Sequence, residues 1–357
     1  MQDKCIDWFY KKFNWYNTTD MEYKLLEDFS QIESNEWNAL LKESISDTPF
    51  SRYDYQRLWW GHRGGGEWQD ARLVLVTARE GEKLIGIAPL FIAEYENKPA
   101  LLLNGSIEIS DYLDLIVRAD DHARFLSGLL DFLASSPAPT WSRLDWYNLP
   151  DDSPTLAALK AESAARGWTH HEEVYRPTPR IALNGDFDEY LSRIEKKQRH
   201  EIRRKMRRAA DSELNVRFVL VDQSTDIEPE LNTFFDLMVH DPSKANFLHP
   251  AMREQMTAFL HAAHKDGCLW LAFLEIDGVK TAASLNFDYN GKLWGYNSGV
   301  SRAHMDLSPG WVLLAHTIQW CCENNRHEFD FMRGDEDYKY RFGGVNRFVM
   351  RAGASKP

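Results

Sequence analysis

A duplicated α/β unit is the fold class this sequence predicts, and three observations predict it. At 357 residues the chain exceeds what one small domain holds, since about 150 residues per domain is usual. The same order of elements (meander, helix, strand, polar loop) is legible in each half. The second half also carries Asp277-Gly278 and Asn290-Gly291 between strand-like runs, dipeptides that supply the positive φ of two-residue hairpin turns. Hydrophobic residues at 43% and aromatics at 13% suffice for two buried cores and exclude global disorder. The alternative to duplication is two unrelated α+β domains.

The elements follow in order. Residues 1–20 mix aromatics with Lys and Asn without a period and read as an appendage; the first domain is placed at 21–175 and the second at 180–357. Ser34–Ser44 is a helix on the spacing of Trp37, Leu40 and Leu41, followed by an aromatic segment, Tyr53–Trp60. Gly61–Gly66 (GHRGGG) is a loop; it precedes a strand, so it lacks the strand-to-helix setting in which glycines cradle phosphate. Arg72–Ala78, Lys83–Ala93, Ala100–Asn104 and Tyr112–Val117 read as strands, Asp121–Ala134 as a helix, Arg143–Tyr147 as a strand and Thr155–Arg166 as a helix. Arg176-Pro-Thr-Pro179 is the linker.

In the second half, Phe187–Ala210 reads as one long helix and Val216–Val221 as a strand, with helices near Glu230–Val239 and Pro250–His264. Cys268–Ile276, Thr281–Asp288 and Lys292–Val300 form the meander. A helix from Pro309 to about Asn324, a strand Glu328–Met332 and a last strand Arg347–Arg351 close the chain. Leu144-Asp145-Trp146 occupies the place in the first half that Phe329-Asp330-Phe331 holds in the second.

Charge and cysteine usage bound the function. Lys plus Arg number 42 against 54 Asp plus Glu, a net charge of −12, which argues against a generic nucleic-acid binder, though a local basic patch could still bind; DNA is not an expected partner. Cys5, Cys268, Cys321 and Cys322 form neither a disulfide framework nor a CxxC metal grip, and no metal site is expected. With no apolar run of 18 residues and no signal-like stretch, the expectation is a soluble, cytoplasmic protein. Against the overall acidity, Arg193–Arg208 carries nine Lys/Arg and two Glu, on a helix whose narrow apolar stripe leaves the cations outward. Such a face is either merely solvated or meets phosphate: a nucleotide ligand, tRNA, or an anionic membrane surface.

The chemistry concentrates between Leu293 and Phe342. Ser308 reads as an N-cap, Pro309 as the first helical residue and Gly310 as a place where a ligand nears the backbone. The first amides of that helix, Gly310 and Trp311 and then Val312, would face a diphosphate with the positive end of the helix dipole. After the strand Glu328–Met332 come three acids, then alternating aromatics and cations, at the carboxyl end of a strand where ligands of open α/β sheets bind. His261 and His264 share a helix face but have no accompanying ligands for a metal.

The run DFMRGDEDYKYRFG (Asp330–Gly343), preceded by Ser308-Pro309-Gly310 and its helix, resembles the GNAT-superfamily acetyltransferases associated with cellulose and exopolysaccharide biosynthesis, relatives of the Fem-type transferases. The likeness is specific from about Asp288 to Phe342 and looser at Phe187–Arg208, Ile87–Leu90 and Asp111–Leu115. It implies two tandem GNAT-like domains, each a mixed, largely antiparallel sheet flanked by helices, the second holding acetyl-CoA as acyl donor. By the resemblance, Tyr296, Asn297, Ser298, Gly299 and Val300 offer their backbone to the pantetheine arm. Arg302, Ser308, Gly310 and Trp311 take the diphosphate. Gly334, Asp335, Tyr338 and Lys339 lie beside the acyl group. The family's usual loop has Gln or Arg followed by two glycines; here Arg302 is followed by Ala303, His304, Met305, Asp306 and Leu307, with Gly310 alone. That departure keeps aminoacyl-tRNA open as the donor of a Fem-type enzyme, and a non-catalytic partner of a polysaccharide synthase open as well.

The expected reaction is direct acyl transfer to a small or glycan acceptor. Asp335 or Glu336, raised in pKa by partial burial, is the expected base, worth about 10²–10⁴-fold. Tyr338 or Lys339 is the expected acid toward the leaving thiolate. Asp111, Tyr112 and Asp114 are expected to bind the acceptor in a cleft between the domains, with a capped strand end as the equal alternative, and Arg333 is a further expected acceptor-binding residue. The basic helix is a candidate for weak association with a membrane surface or a synthase.

Overall fold

The computed structural model describes residues 15–18 and 21–357; the rest of the expected N-terminal appendage, Cys5 included, lies outside the described residues. The chain divides into two compact units, one ending at Tyr175 and completed by Phe348–Pro357, the other Arg176–Arg347.

The first unit is built on β1 (Trp15–Thr18), β2 (Met21–Leu26), β3 (Arg72–Glu80), β4 (Lys83–Tyr95) and β5 (Lys98–Leu103), each antiparallel to the one before where they pair. The short β6 (Ile116–Val117) pairs with β4, so most of the strand expected at Tyr112–Val117 is loop. β7 (Arg143–Pro150) then lies parallel to β5, in register Ala100↔Arg143 and Leu101↔Leu144. Helices α1 (Ser34–Leu41), α2 (Tyr53–Gly66), α3 (Ala119–Leu133) and α4 (Pro154–Ala165) accompany this sheet. The aromatic segment and the start of GHRGGG are helical, and the turn comes only at Arg63, Gly64 and Gly65, all left-handed (φ 52, 62 and 75).

The second unit opens with the second half of β8 (Thr169–Ala182). The expected long helix is two, α5 (Phe187–Arg193) and α6 (Lys196–Ala210). Ile194 turns extended between them (φ −86, ψ 161) and packs at Gly343, while the Arg199 guanidinium donates to the Leu191 and Ser192 carbonyls at the end of α5. There follow β9 (Val216–Leu220), α7 (Ile227–Met238), α8 (Pro242–Phe247) and α9 (Pro250–Lys265). The meander is β10 (Leu269–Ile276), β11 (Val279–Tyr289) and β12 (Lys292–Val300), and its turns have positive φ at Asp277, Gly278, Asn290 and Gly291, as the dipeptides require. Then come α10 (Pro309–Glu323), β13 (Glu328–Asp330) and α11 (Asp337–Arg341). The strand order is β8-β13-β12-β11-β10-β9, antiparallel except for β12 with β13. Cys321 and Cys322 are buried in the core that α5, α6 and α10 make with the sheet, so they serve as small apolar residues. On α9, Phe259 packs against the rings of Phe287 and Tyr296.

The last strand departs from the sequence reading. β14 (Val345–Ser355) pairs antiparallel with β7 of the first unit rather than closing the second half. Its Arg351 explains why: the guanidinium grips Asp145, fully buried on β7, through two bonds of 2.8 Å. Asp330, the residue aligned with Asp145 by layout, is likewise fully buried and meets Arg180 of β8 at 3.1 Å. A buried carboxylate needs such a cation, so the two units repeat a device as well as an order.

Candidate functional site

The site is assembled where β12 and β13 part. Their parallel pairing covers only Lys292↔Glu328, Leu293↔Phe329 and Trp294↔Asp330. Beyond it the chain after β13 turns to β8: the Phe331 and Gly334 amides donate to the Pro179 and Pro177 carbonyls. β12 meanwhile stays with β11 through a bulge at Asn286↔Gly295. The Ser301 amide donates to Thr281 O, so the residues facing β11 are the odd-numbered ones from Asn297 on, and the backbone groups of Ser298 face the opposite edge. That edge borders the opening.

Two side chains occupy it. The Ser298 amide donates to Asn297 Oδ1 at 2.8 Å, and the Ser298 carbonyl accepts from Lys244 Nζ of α8 at 2.6 Å. Lys244 was invisible to sequence reasoning, because one lysine in a polar DPSKANF stretch carries no motif; only the fold brings it to β12. Its partial burial lowers its pKa, an effect countered by the charges of Asp241 and Glu336. Gly299 packs against the α7 backbone, where a Cβ would stand 2.5 Å from Leu237 C and Met238 N; here the missing side chain serves packing. The Tyr296 ring joins Phe259 and Phe287.

The helix tip differs from the cradle the sequence suggests. Ser308 is left-handed (φ 56, ψ 56) and its hydroxyl caps nothing. Its carbonyl accepts from both the Trp311 and Val312 amides, at 3.0 and 3.1 Å, so Gly310 supplies the one first-turn amide left to a ligand. A Cβ on Gly310 would meet Val300 Cγ2 at 2.9 Å, which seats α10 on β12. The Trp311 ring lies 4.7 Å from that of Phe342, and Lys205 of α6 stands 4.4 Å above it. Arg208, one turn on, comes within 3.9 Å of Asp306 in the preceding loop, and Arg302 is exposed in that loop. The basic helix thus delivers cations to the tip that the sequence assigned to a diphosphate.

Beyond Arg333, Lys339 is buried and its ammonium reaches the Met332, Arg333 and Gly334 carbonyls at 3.2, 2.8 and 3.4 Å, with Glu336 Oε2 at 2.9 Å. An ammonium so committed holds the loop in shape and is not placed to protonate a thiolate. Asp335 accepts from the Tyr340 hydroxyl. Asp335 and Glu336 are both exposed, against the expectation of partial burial. Tyr338 packs edge-on to Phe331, and desolvation of its hydroxyl, then the Glu336 charge, hold its pKa above the ordinary phenol value.

The expected acceptor residues of the first unit are buried: Asp111 is 7% exposed, Tyr112 1% and Asp114 3%. Asp114 accepts from Thr155 Oγ1 at 2.6 Å, from the Leu115 amide at 2.7 Å and from Ser153, while His122 Nε2 lies 2.9 Å from Thr155 Oγ1. Burial pushes its pKa up to about 6 against these bonds. These residues are ties within the unit rather than a lining open to an acceptor. Among the described residues no cluster of three or more His, Cys, Asp or Glu is arranged to hold a metal, and no helix is long and apolar enough to cross a membrane.

Residues 196–340 match the family model of the acetyltransferase (GNAT) domain. No curated protein matches the chain. Among solved structures, FemX is similar at 14% identity over 90% of this chain and 96% of that one, with a TM-score of 0.65. The C-terminal domain of a putative lysylphosphatidylglycerol synthetase from Agrobacterium fabrum is similar at 12% identity, covering 91% of each chain, TM-score 0.55. A tandem GNAT protein from the clavulanic acid biosynthesis pathway is similar at 12% identity over 94% of this chain and 99% of that one, TM-score 0.50. At these identities the likeness establishes the fold: mixed α/β, of the kind found in tandem GNAT proteins.

Proposed function

We propose that the second unit is an acyl-CoA-dependent N- or O-acyltransferase, transferring an acetyl-sized group to an amino sugar, glycan precursor or other small envelope-related acceptor. The observation that carries the reading is the parting of the parallel pair β12/β13 inside the stretch that matches the acetyltransferase domain. It leaves a strand edge and a helix tip on one side of the opening and an acidic turn on the other. Gly310 and the cations Lys205 and Arg208 suit a diphosphate, and the edge at Ser298 suits the donor's arm once its present side-chain partners release it.

The acceptor attacks the thioester carbonyl directly, with no covalent enzyme intermediate. Glu336, exposed and held by Lys339, receives the acceptor's proton directly or through water, and Asp335 remains tied to Tyr340. Tyr338, kept protonated, gives its proton to the departing thiolate and regains one from Glu336 through water, so the free thiol leaves and both side chains return to their starting state. Lys339 acts through the loop it shapes.

A second reading, an aminoacyl-tRNA donor, is favoured by one observation: the Trp311 and Val312 amides are already bonded to Ser308 O, which shrinks the diphosphate seat, while α6 keeps exposed cations along its length. Calorimetry separates these. Micromolar binding of acetyl-CoA supports the first reading. Absent that, tRNA binding that weakens steeply with salt supports the second. Binding of neither leaves a non-catalytic partner of a polysaccharide synthase.

A further inference from the structure

The edge of β12 at Ser298 is closed by the protein's own side chains. In an antiparallel ladder, alternate residues turn both backbone groups away from the partner strand, and Ser298 is such a residue relative to β11. Its amide is taken by Asn297 Oδ1 at 2.8 Å and its carbonyl by Lys244 Nζ at 2.6 Å, with the hydroxyl of Ser298 3.4 Å from the same ammonium. A donor whose arm carries amides would need this amide and this carbonyl. Where a bare strand edge would show an acceptor, this edge shows an ammonium.

We propose that Lys244 sets donor affinity in this site, by occupying the strand carbonyl that the donor's arm must take and swinging toward Glu336 when the donor arrives. The inference rests on the acyl-CoA reading above. Three observations support it. Lys244 sits on α8, a short helix whose other residues are exposed or partly so, and among the described residues Ser298 alone holds its ammonium by hydrogen bonds. Glu336, across the opening, already acts electrostatically on it, and its exposed carboxylate is met by the Lys339 ammonium alone among the described residues. A side-chain block of this kind is reversible by rotation, whereas a backbone block is not.

The test is calorimetric titration of the full chain with acetyl-CoA, in wild type and in Lys244→Met and Lys244→Arg, with thermal unfolding to confirm that each is folded. Releasing a charge-assisted hydrogen bond predicts about tenfold tighter binding in Lys244→Met. Lys244→Arg, which keeps a donor on Ser298 O, should bind as wild type does. Asn297→Ala, which frees only the amide, should give a smaller gain of about threefold. Binding in Lys244→Met that equals or falls below a measurable wild-type affinity overturns the inference and leaves the acyl-CoA reading standing; a lysine that gripped donor phosphate would give that result. Binding by Lys244→Met alone supports the inference and the reading together. Failure of every variant to bind acetyl-CoA removes the acyl-CoA reading and this inference with it. Should Lys244→Met not fold, Lys244→Gln carries the same expectation.

Discussion

Among the described residues each unit contains a parallel strand pair, β5 with β7 and β12 with β13, and the two pairs end differently. In the first unit, the loop that follows β5 fills the space beyond the pair with main chain. The Leu113 amide donates to Asn148 O, Asn148 Nδ2 donates to the Ile107 and Ser110 carbonyls, and Trp68 Nε1 donates to Ser106 O. Tyr55 adds a bond to Ile109 O. In the second unit, the corresponding edge of β12 is met by two side chains, Lys244 and Asn297. The lesson is one of reversibility. Opening the first unit means breaking a backbone bond together with several buried side-chain bonds to loop carbonyls, while opening the second means turning two side chains. The same order of elements therefore ends in many shared buried bonds in one unit and in two side chains in the other.

The sharpest way to break this comparison is at Asn148, buried and left-handed (φ 64). Asn148→Leu would strain that backbone and strand two buried carbonyls, for a loss of about 4 kcal/mol. Chemical unfolding should show the loss, while acetyl-CoA binding by the surviving folded fraction stays unchanged. A parallel fall in donor affinity would mean that the seal and the site are one system.

The next effect concerns Asp114. Its pKa is raised on folding, so between about 4 and about 6 the native state binds more protons than the unfolded state. Stability then falls as pH rises through that window, by up to about 3 kcal/mol for a shift of this size, and is flat above it. Urea unfolding from pH 4 to 7 should show the decline in wild type and a flatter profile in Asp114→Asn. Identical profiles would mean that the carboxyl is not sealed in.

Lys339→Met comes third. It leaves the Met332, Arg333 and Gly334 carbonyls without their common donor and frees Glu336, with an expected loss of about 2 kcal/mol in transition-state stabilisation, or some thirtyfold in kcat. Since Lys339 acts through the loop, the pH dependence of the remaining rate should keep its shape; a lost basic limb would instead mark Lys339 as the acid. The smallest effect is at Gly310→Ala. Its methyl group meets the movable Val300 side chain, so about 1 kcal/mol of donor affinity is lost and the melting temperature barely changes. Unchanged affinity would remove the helix tip from the site.

Much of the fold was legible because its signals are local. Asp277-Gly278 and Asn290-Gly291 dictate positive φ wherever they occur between strands, and the meander lies where they predict. The Asp145/Asp330 correspondence was legible as layout, though the arginines that explain it, Arg351 and Arg180, come from strands distant in sequence. The site was legible only in part. Asp335, Glu336, Tyr338 and Lys339 form one turn because they are consecutive, but which of them is exposed and which is locked depends on carbonyls that a turn leaves pointing at Lys339. Asp111, Tyr112 and Asp114 read as polar and available, whereas the loop they belong to is folded inward. Ser308 reads as a cap from its type alone, yet its left-handed backbone turns its carbonyl, not its hydroxyl, to the helix.

By itself, then, the sequence located the meander, its hairpin turns and most of the strands and helices, since hydrophobic period and turn chemistry act over a few residues. It did not show that Arg176–Pro179 lies inside β8 or that Phe187–Ala210 breaks at Ile194. Tertiary structure alone decided that β14 returns to β7, that the loop after β5 is tied to Asn148, and that Lys244 meets Ser298. Those outcomes depend on charges and hydrogen-bonding groups 35 to 206 residues apart, and no local pattern records which partner each will find.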